Sequence, residues 1–424
     1  MDIRLKAQDA VANRHIKVSG SKSETNRLLL LQALYPGITI GNASSSDDSE
    51  VMIRALKGNG EIVDIHHAGT AMRFLTAYFA IQERREVILT GSSRMKERPI
   101  GILVDALRSF GASIEYVEVE GFPPLKITGR KLMGGIVPLP ANISSQYITA
   151  LLLIAGRLDN GLELTLEGEI TSRPYIEMTV ALLNEIGIPA KFSDNKIIVK
   201  PATGNRQPTT VNLTVESDWS SASYFYSMIA LSPETTSVQL SSYKKDSLQG
   251  DSELVEIYNT LGVTTKFDND SITLTKTPNP EPRTLNLELN NTPDIAQTIA
   301  VTCFGLGVGC HLTGLHTLKI KETDRLAALK TELEKLGAKV DITNDSLTLH
   351  PQDLFPESVL RTGSLNSREG PGEVNTYNDH RMAMAFAPLA LKRDIVIKDA
   401  GVVSKSYPAF WEDLNVLGFN IEEL

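Results

Sequence analysis

Five times along the 424-residue chain an amphipathic run ends in an apolar residue followed by glycine. The instances are Leu107-Arg-Ser-Phe-Gly111, Leu183-Asn-Glu-Ile-Gly187, Tyr258-Asn-Thr-Leu-Gly262, Glu334-Lys-Leu-Gly337 and Leu414-Asn-Val-Leu-Gly418, with a weaker sixth at Ala55-Leu-Lys-Gly-Asn-Gly60. Each reads as a helix closed by a glycine that can take the left-handed backbone at no steric cost. Short alternating stretches such as Ala112–Val117 and Ala338–Ile342 follow as strands. The six glycines are spaced 51, 76, 75, 75 and 81 residues apart. A period near 75 is longer than a solenoid unit and predicts a few compact α/β modules. The short first interval predicts the loss of about one hairpin.

A second helix is expected in each module. Its starts are small and polar: Ser19–Ser23, His67–Thr70, Ile143–Gln146, Asp218–Ala222, Thr292–Ile295 and Asn378–Arg381. Apolar runs such as Leu28–Leu31 and Ala150–Ile154 follow, marking helices buried on most sides. Ser, Thr, Asp and Asn are ordinary N-caps. Six parallel buried helices would do more, because their positive ends could gather around one anion. The turn-rich segment Val199–Pro208 divides the modules three and three, with the interdomain crossover placed between it and Glu216.

The densest charge cluster is Lys321-Glu322-Thr323-Asp324-Arg325, at the expected start of a helix running to Leu336. There Lys321 and Arg325 would share a face and repel, at the end of the helix dipole that disfavours cations. An anion held between them would offset that repulsion, and Glu322 or Asp324 could orient the cations or move a proton. The cluster therefore predicts a site for an anionic substrate.

The balance of 42 basic and 51 acidic residues, a net charge of −9, argues against a nucleic-acid or anionic-membrane surface. Cys303 and Cys310 lie in an apolar stretch and read as buried thiols of a reducing compartment. With no signal-peptide core and no long apolar span, a soluble, cytoplasmic protein is expected. Gly305–Gly309 superficially has the form of a dinucleotide loop, but its context, after a helix and before a strand, makes it a turn. The seven histidines show no ligand pair at helical spacing, and no metal is expected.

Gly20-Ser-Lys-Ser-Glu-Thr-Asn-Arg27, Ala68–Arg73, Arg94–Ile100, Ser144-Ser-Gln146, Ser172–Tyr175, Lys321–Leu326, Asn378–Ala383 and Lys405–Pro408 occur in the order found in 5-enolpyruvylshikimate-3-phosphate synthases. The chain resembles that enolpyruvyl transferase family over nearly its whole length. The resemblance implies an α/β fold of two similar domains, each of three modules with parallel buried helices and outer sheets. Residues 21–215 would form one domain, and 1–20 with 216–424 the other, the N-terminal strand joining the second domain and the active site lying in the cleft between them. It implies transfer of the enolpyruvyl group of phosphoenolpyruvate to the 5-hydroxyl of shikimate 3-phosphate, without cofactor, by a monomer. By resemblance Lys22, Asp294 and Glu322 are the catalytic groups. Lys22, Ser23, Arg27, Ser144, Ser145, Gln146, Ser172, Asp294 and Lys321 bind shikimate 3-phosphate. Lys22, Gly69, Arg98, Gln146, Arg325, Arg381 and Lys405 bind phosphoenolpyruvate. His67 stands where the family usually has Asn, Phe74 where many members have Pro, and the segment from Gly58 to Asp64 is shorter than usual. The alternatives are an enolpyruvyl transferase acting on a UDP-amino sugar, which typically has Lys-Asn where this chain has Lys22-Ser23, and a catalytically silent phospholigand-binding protein.

Overall fold

The computed structural model describes all residues except 9–10, 142–143, 169, 203–210, 234, 279–282 and 352–370. Ile143, residues 203–208 of the turn-rich segment and residues 209–210 of the expected crossover therefore lie outside the described residues. The chain divides into two compact units, Gly20–Val215 and Met1–Ser19 with Glu216–Leu424. The first boundary falls one residue before the expected Ser21, for a steric reason. Gly20 packs so closely on Asn42 that an added Cβ would lie 1.8 Å from the Asn42 carbonyl oxygen.

One sheet pattern recurs. Ile62–Asp64 and Glu86–Thr90 run parallel, and Leu125–Thr128 and Ser113–Tyr116 continue the sheet antiparallel. The same order holds for Gly135–Pro140, Leu162–Glu167, Lys196–Val199 and Ala190–Ser193. It holds again for Thr284–Glu288, Gly309–Thr313, Leu347–Leu349 and Val340–Ile342. In each, one helix connects the two parallel strands, as a parallel pair requires.

Two further sheets complete this pattern with segments distant in sequence. His15–Ile16 pairs parallel with Ser237–Ser241, followed by Ser271–Lys276 and Val263–Asp268. Ile3–Leu5 lies between Ile395–Ile397 and Ile421–Glu423, antiparallel to both, with Gly372–Val374 on the far edge. The 20–215 unit is thus inserted between a strand, His15–Ile16, and the helix Trp219–Leu231 that follows it in the module. The sixth sheet has only Val211–Thr214 and Ile38–Gly41, parallel. After the helix Asp47–Lys57 the chain passes straight into Ile62–Asp64, so the missing hairpin is the physical origin of the short first repeat interval.

Each module has two kinds of helix. Gly69–Ala80, Ser145–Ala155, Trp219–Leu231, Ala296–Leu306 and His380–Phe386 are buried along almost their whole length. Lys22–Leu34, in the module with the short sheet, leaves Ala33 exposed. Helices such as Gly101–Ser109 bury one stripe, here Leu103, Val104, Ala106 and Leu107. Gly111, Gly187, Gly262, Gly337 and Gly418 all take positive φ where such helices end. At the weak sixth position the expectation fails: the helix already ends at Gly58, at φ −76°, and Gly60 does not take positive φ.

Two separate apolar cores result, one per unit. At about 2 kcal/mol for each fully buried large apolar side chain, burial is the main favourable term within each unit. Gly307 closes the Ala296–Leu306 helix at φ +74°, so Gly305–Gly309 is a helix end. Cys303 and Cys310 are buried free thiols.

Candidate active site

Within the 20–215 unit, Lys22 opens its helix behind the N-cap Ser21 and pairs with Asp48 at 3.3 Å. The next residue, Ser23, gives its carbonyl to Arg27 Nη1 at 2.7 Å. Arg27 joins three helices. Its Nε donates to Thr179 Oγ1 at 2.9 Å, and its Nη2 to Thr149 Oγ1 at 3.3 Å and the Tyr175 carbonyl at 3.1 Å. These acceptors are neutral, and burial pushes the guanidinium down to about 10.

Gly69 begins its helix without a side-chain cap. The Arg98 guanidinium lies over it, so that a Cβ on Gly69 would be 2.5 Å from Nη1. Beneath, Arg73 donates to the carbonyls of Gly69 and Pro99 at 3.2 and 3.0 Å. Burial, then the charge of Arg98, pushes Arg73 down to about 10. Two guanidiniums beside open helix N–H groups form an anion-attracting surface. Gln146 joins it, donating from Nε2 to Thr70 Oγ1 at 3.2 Å.

Ser144 caps the helix that Ser145 and Gln146 begin, accepting from Gln146 N at 3.4 Å. Ser172 precedes the helix Arg173–Glu185 at φ 55°, ψ 44°. A non-glycine residue held there costs about 1–3 kcal/mol, a strain that functional sites commonly retain. The loops before these two helices meet through Thr171 N and the Ala141 carbonyl at 3.3 Å.

In the other unit Asp294 is the hub. Its Oδ1 receives Arg325 Nη1 at 3.0 Å and faces Lys321 Nζ at 3.5 Å, while its Oδ2 faces Arg381 Nη2 at 3.1 Å. Arg325 is only 2% exposed, and its other nitrogens donate to Asp379 at 2.7 Å and Glu322 at 2.8 Å. Burial alone would lower its pKa, but Asp379, Glu322 and Asp294 together outweigh burial and raise it. Burial dominates at Lys321 and lowers the ammonium despite Asp294. Lys405 Nζ donates to the carbonyl and Oδ1 of Asn378 at 2.6 and 2.7 Å.

This geometry corrects one expectation. Lys321 and Arg325 do not share a helix face, because the helix begins at Arg325, with Lys321 in extended backbone before it. Asp324 is the N-cap and accepts from Ala327 N at 3.1 Å. The two cations meet instead through Asp294, whose carboxylate offsets their repulsion.

Starts of all three buried helices converge here: Ser220 Oγ lies 3.4 Å from Arg381 Nη2, and Arg381 contacts Asp294. Ser220 also donates to Asp251. Burial, then the charge of Asp294, pushes Asp251 up to about 7. Sequence reasoning did not single out Asp48, Ser220, Asp251 or Asp379 as site residues. Asp379 lay in a quoted motif whose start read as an ordinary cap; it does cap, accepting from Arg381 N at 2.8 Å, while also holding Arg325. For Asp251 no sequence signal existed: Ser220, which donates to it, lies 31 positions away, and Asp294, whose charge raises it, belongs to another module. Among the described residues no group of three or more His, Cys, Asp or Glu could hold a metal ion, and no helix is long and apolar enough to cross a membrane.

A sequence model of EPSP synthase (3-phosphoshikimate 1-carboxyvinyltransferase) matches residues 55–414. The 3-phosphoshikimate 1-carboxyvinyltransferase of Bacteroides fragilis strain YCH46 is 46% identical over 410 residues, 96% of each chain. That of Mannheimia haemolytica is 36% identical over 433 residues, 95% of this chain and 96% of its own. The fold is also that of EPSP synthase from Acinetobacter baumannii, with TM-score 0.77 and 21% identity over 100% of this chain and 99% of that one. The enolpyruvyl transferase NikO from Streptomyces tendae follows at TM-score 0.72 and 14% identity, over 99% and 98%. With most of its length matched by the family's sequence model and by relatives of this identity, the chain belongs to the EPSP synthase family.

Proposed function

We propose that this protein transfers the enolpyruvyl group of phosphoenolpyruvate to the 5-hydroxyl of shikimate 3-phosphate, releasing phosphate, in the biosynthesis of chorismate and aromatic amino acids. Alongside family membership, the observation that carries the reading is Asp294, a carboxylate fixed by Lys321, Arg325 and Arg381 where three helix starts meet. The reaction joins two polyanions and must move protons at two carbons. The attacking 5-hydroxyl loses a proton as it adds to C2, C3 gains one, and the tetrahedral intermediate loses a C3 proton as it expels phosphate. That requires fixed cations and positioned acid–base groups.

On this reading Asp294 and Glu322 are the carboxylates at the reacting centre, and Lys22, steadied by Asp48, is the proton donor or electrostatic clamp. Ser23, Arg27, Ser144, Ser145, Gln146, Ser172 and Lys321, with Lys22 and Asp294, hold shikimate 3-phosphate. Arg98, Arg325, Arg381 and Lys405, with Lys22, Gln146 and the Gly69 backbone, hold phosphoenolpyruvate, where planar guanidinium forks suit carboxylate and phosphate. The enzyme works in the cytoplasm as a monomer without metal or organic cofactor.

The test is phosphate release with both substrates and with each omitted in turn. Release is expected only with both. A folded protein that releases none would overturn the proposal, and release with a UDP-amino sugar in place of shikimate 3-phosphate would redirect it.

A further inference from the structure

The turn before the Arg381 helix is an unusual piece of backbone. Asp379 N donates to the Thr376 carbonyl at 2.9 Å, and the residues between, Tyr377 and Asn378, have φ of 53° and 58°. Two central residues at positive φ have the pattern of a type I′ turn, which favours Asn or Gly. Asn378 suits it. Tyr377 does not, and a bulky residue there persists only where its surroundings impose it.

The imposing group is Glu332. Its carboxylate is fully buried, accepts from the Tyr377 hydroxyl and from Asn375 N at 3.2 Å, and pairs with Lys335 at 2.7 and 2.8 Å. Glu332 also sits in the last turns of the Arg325–Lys335 helix, at the end of the dipole that disfavours a negative charge. Local helix energetics therefore do not account for it. Seven residues before it, two turns back on the same face, Arg325 grips Asp379. The turn is thus held at both ends by one helix face. Burial, then the hydrogen bond to Glu332, pushes the Tyr377 hydroxyl up to about 12, so that it stays a donor well into the alkaline range.

What this turn presents are groups of the site. Asn378 offers its carbonyl and its side-chain oxygen to Lys405 Nζ, and Asp379 offers one oxygen to Arg381 N and the other to Arg325. We infer that Tyr377 and Glu332 are positioning residues of the reaction, holding the 376–379 turn so that Asn378 aims Lys405 at the substrate. The inference rests on the function proposed above, and specifically on Lys405 acting on phosphoenolpyruvate.

A double-mutant cycle tests it, with kcat/KM for phosphoenolpyruvate measured in the full-length protein, Tyr377→Phe, Lys405→Ala and the double variant. If Tyr377 acts through Lys405, Tyr377→Phe lowers kcat/KM about 10-fold in the parent and less than 2-fold in the Lys405→Ala background. The loss should appear mainly in KM for phosphoenolpyruvate, with KM for shikimate 3-phosphate nearly unchanged. Should Tyr377→Phe not fold, Glu332→Gln, which keeps the volume and one acceptor oxygen, takes its place in the same cycle. Additive losses, equal rises in both KM values, or an unchanged kcat/KM in an active parent would overturn the inference and leave the proposed function standing. A parent without turnover would sink both.

Discussion

At the residue scale the site is built by mutual constraint between opposite charges. Lys321, Arg325 and Arg381 all lean on Asp294, so each cation is placed before any substrate arrives. Gly69 shows the steric side of the same design. Its missing Cβ is the space that Arg98 occupies. Gly69→Ala should fold normally, because the clash falls on the flexible end of a side chain, but it should dislodge Arg98. Losing one charge-assisted hydrogen bond to substrate, about 1.5–3 kcal/mol, should raise KM for phosphoenolpyruvate by roughly 10- to 100-fold. Steady-state kinetics would show this, and an unchanged KM would mean that Arg98 does not hold that substrate. Asp251 gives a prediction in pH. Its folded-state pKa of about 7 lies above the ordinary 3.8, so the folded state favours the protonated form. Its contribution to stability is complete below about pH 4 and is lost as pH rises through 7. Asp251→Asn cannot ionise, so its stability relative to the parent should rise across that window, by several kcal/mol at most. Urea unfolding at pH 5 and pH 8 measures the difference, and parallel pH profiles would refute it.

At the scale of the element, four of the modules place a one-stripe helix between a buried helix and a hairpin, and a glycine at positive φ makes the turn. Gly187 isolates the backbone term, since at φ +86° an added Cβ would meet nothing within 4 Å. Gly187→Ala should therefore cost about 1–2 kcal/mol through left-handed strain alone. Denaturant unfolding with an unaltered m-value is the expected signature. No loss would show that the turn can relax to another backbone. The helices, their glycine ends and the strands after them were legible because they depend on local periodicity and local sterics. The exact start of the Arg325 helix was not, because several polar residues in succession can each serve as the cap, and only geometry selects Asp324.

For the whole molecule the informative feature is closure by distant segments. Ile3–Leu5 completes the last sheet, and Val211–Thr214 supplies the partner strand of Ile38–Gly41. Each unit therefore owns a complete core. Residues 20–215 expressed alone should fold, as the contact of Gly20 with Val215 already brings the ends of that unit together. A single cooperative transition and dispersed amide resonances are expected, whereas a molten or insoluble product would show that this unit depends on the other.

The sequence alone determined the six modules, their division three and three, the two kinds of helix and the family. These follow from periodicity, side-chain volume and motifs that are contiguous in the chain. Tertiary structure decided which groups of the site hold one another. Asp294, Arg325, Asp379 and Arg381 belong to three helix starts that meet only after the modules pack. Asp251 acquires its raised pKa from burial first and from the charge of Asp294 second, both of which exist only in the folded unit. Charge placement of that kind depends on distances of a few ångströms between residues tens of positions apart, and at low effective dielectric those distances set the energies.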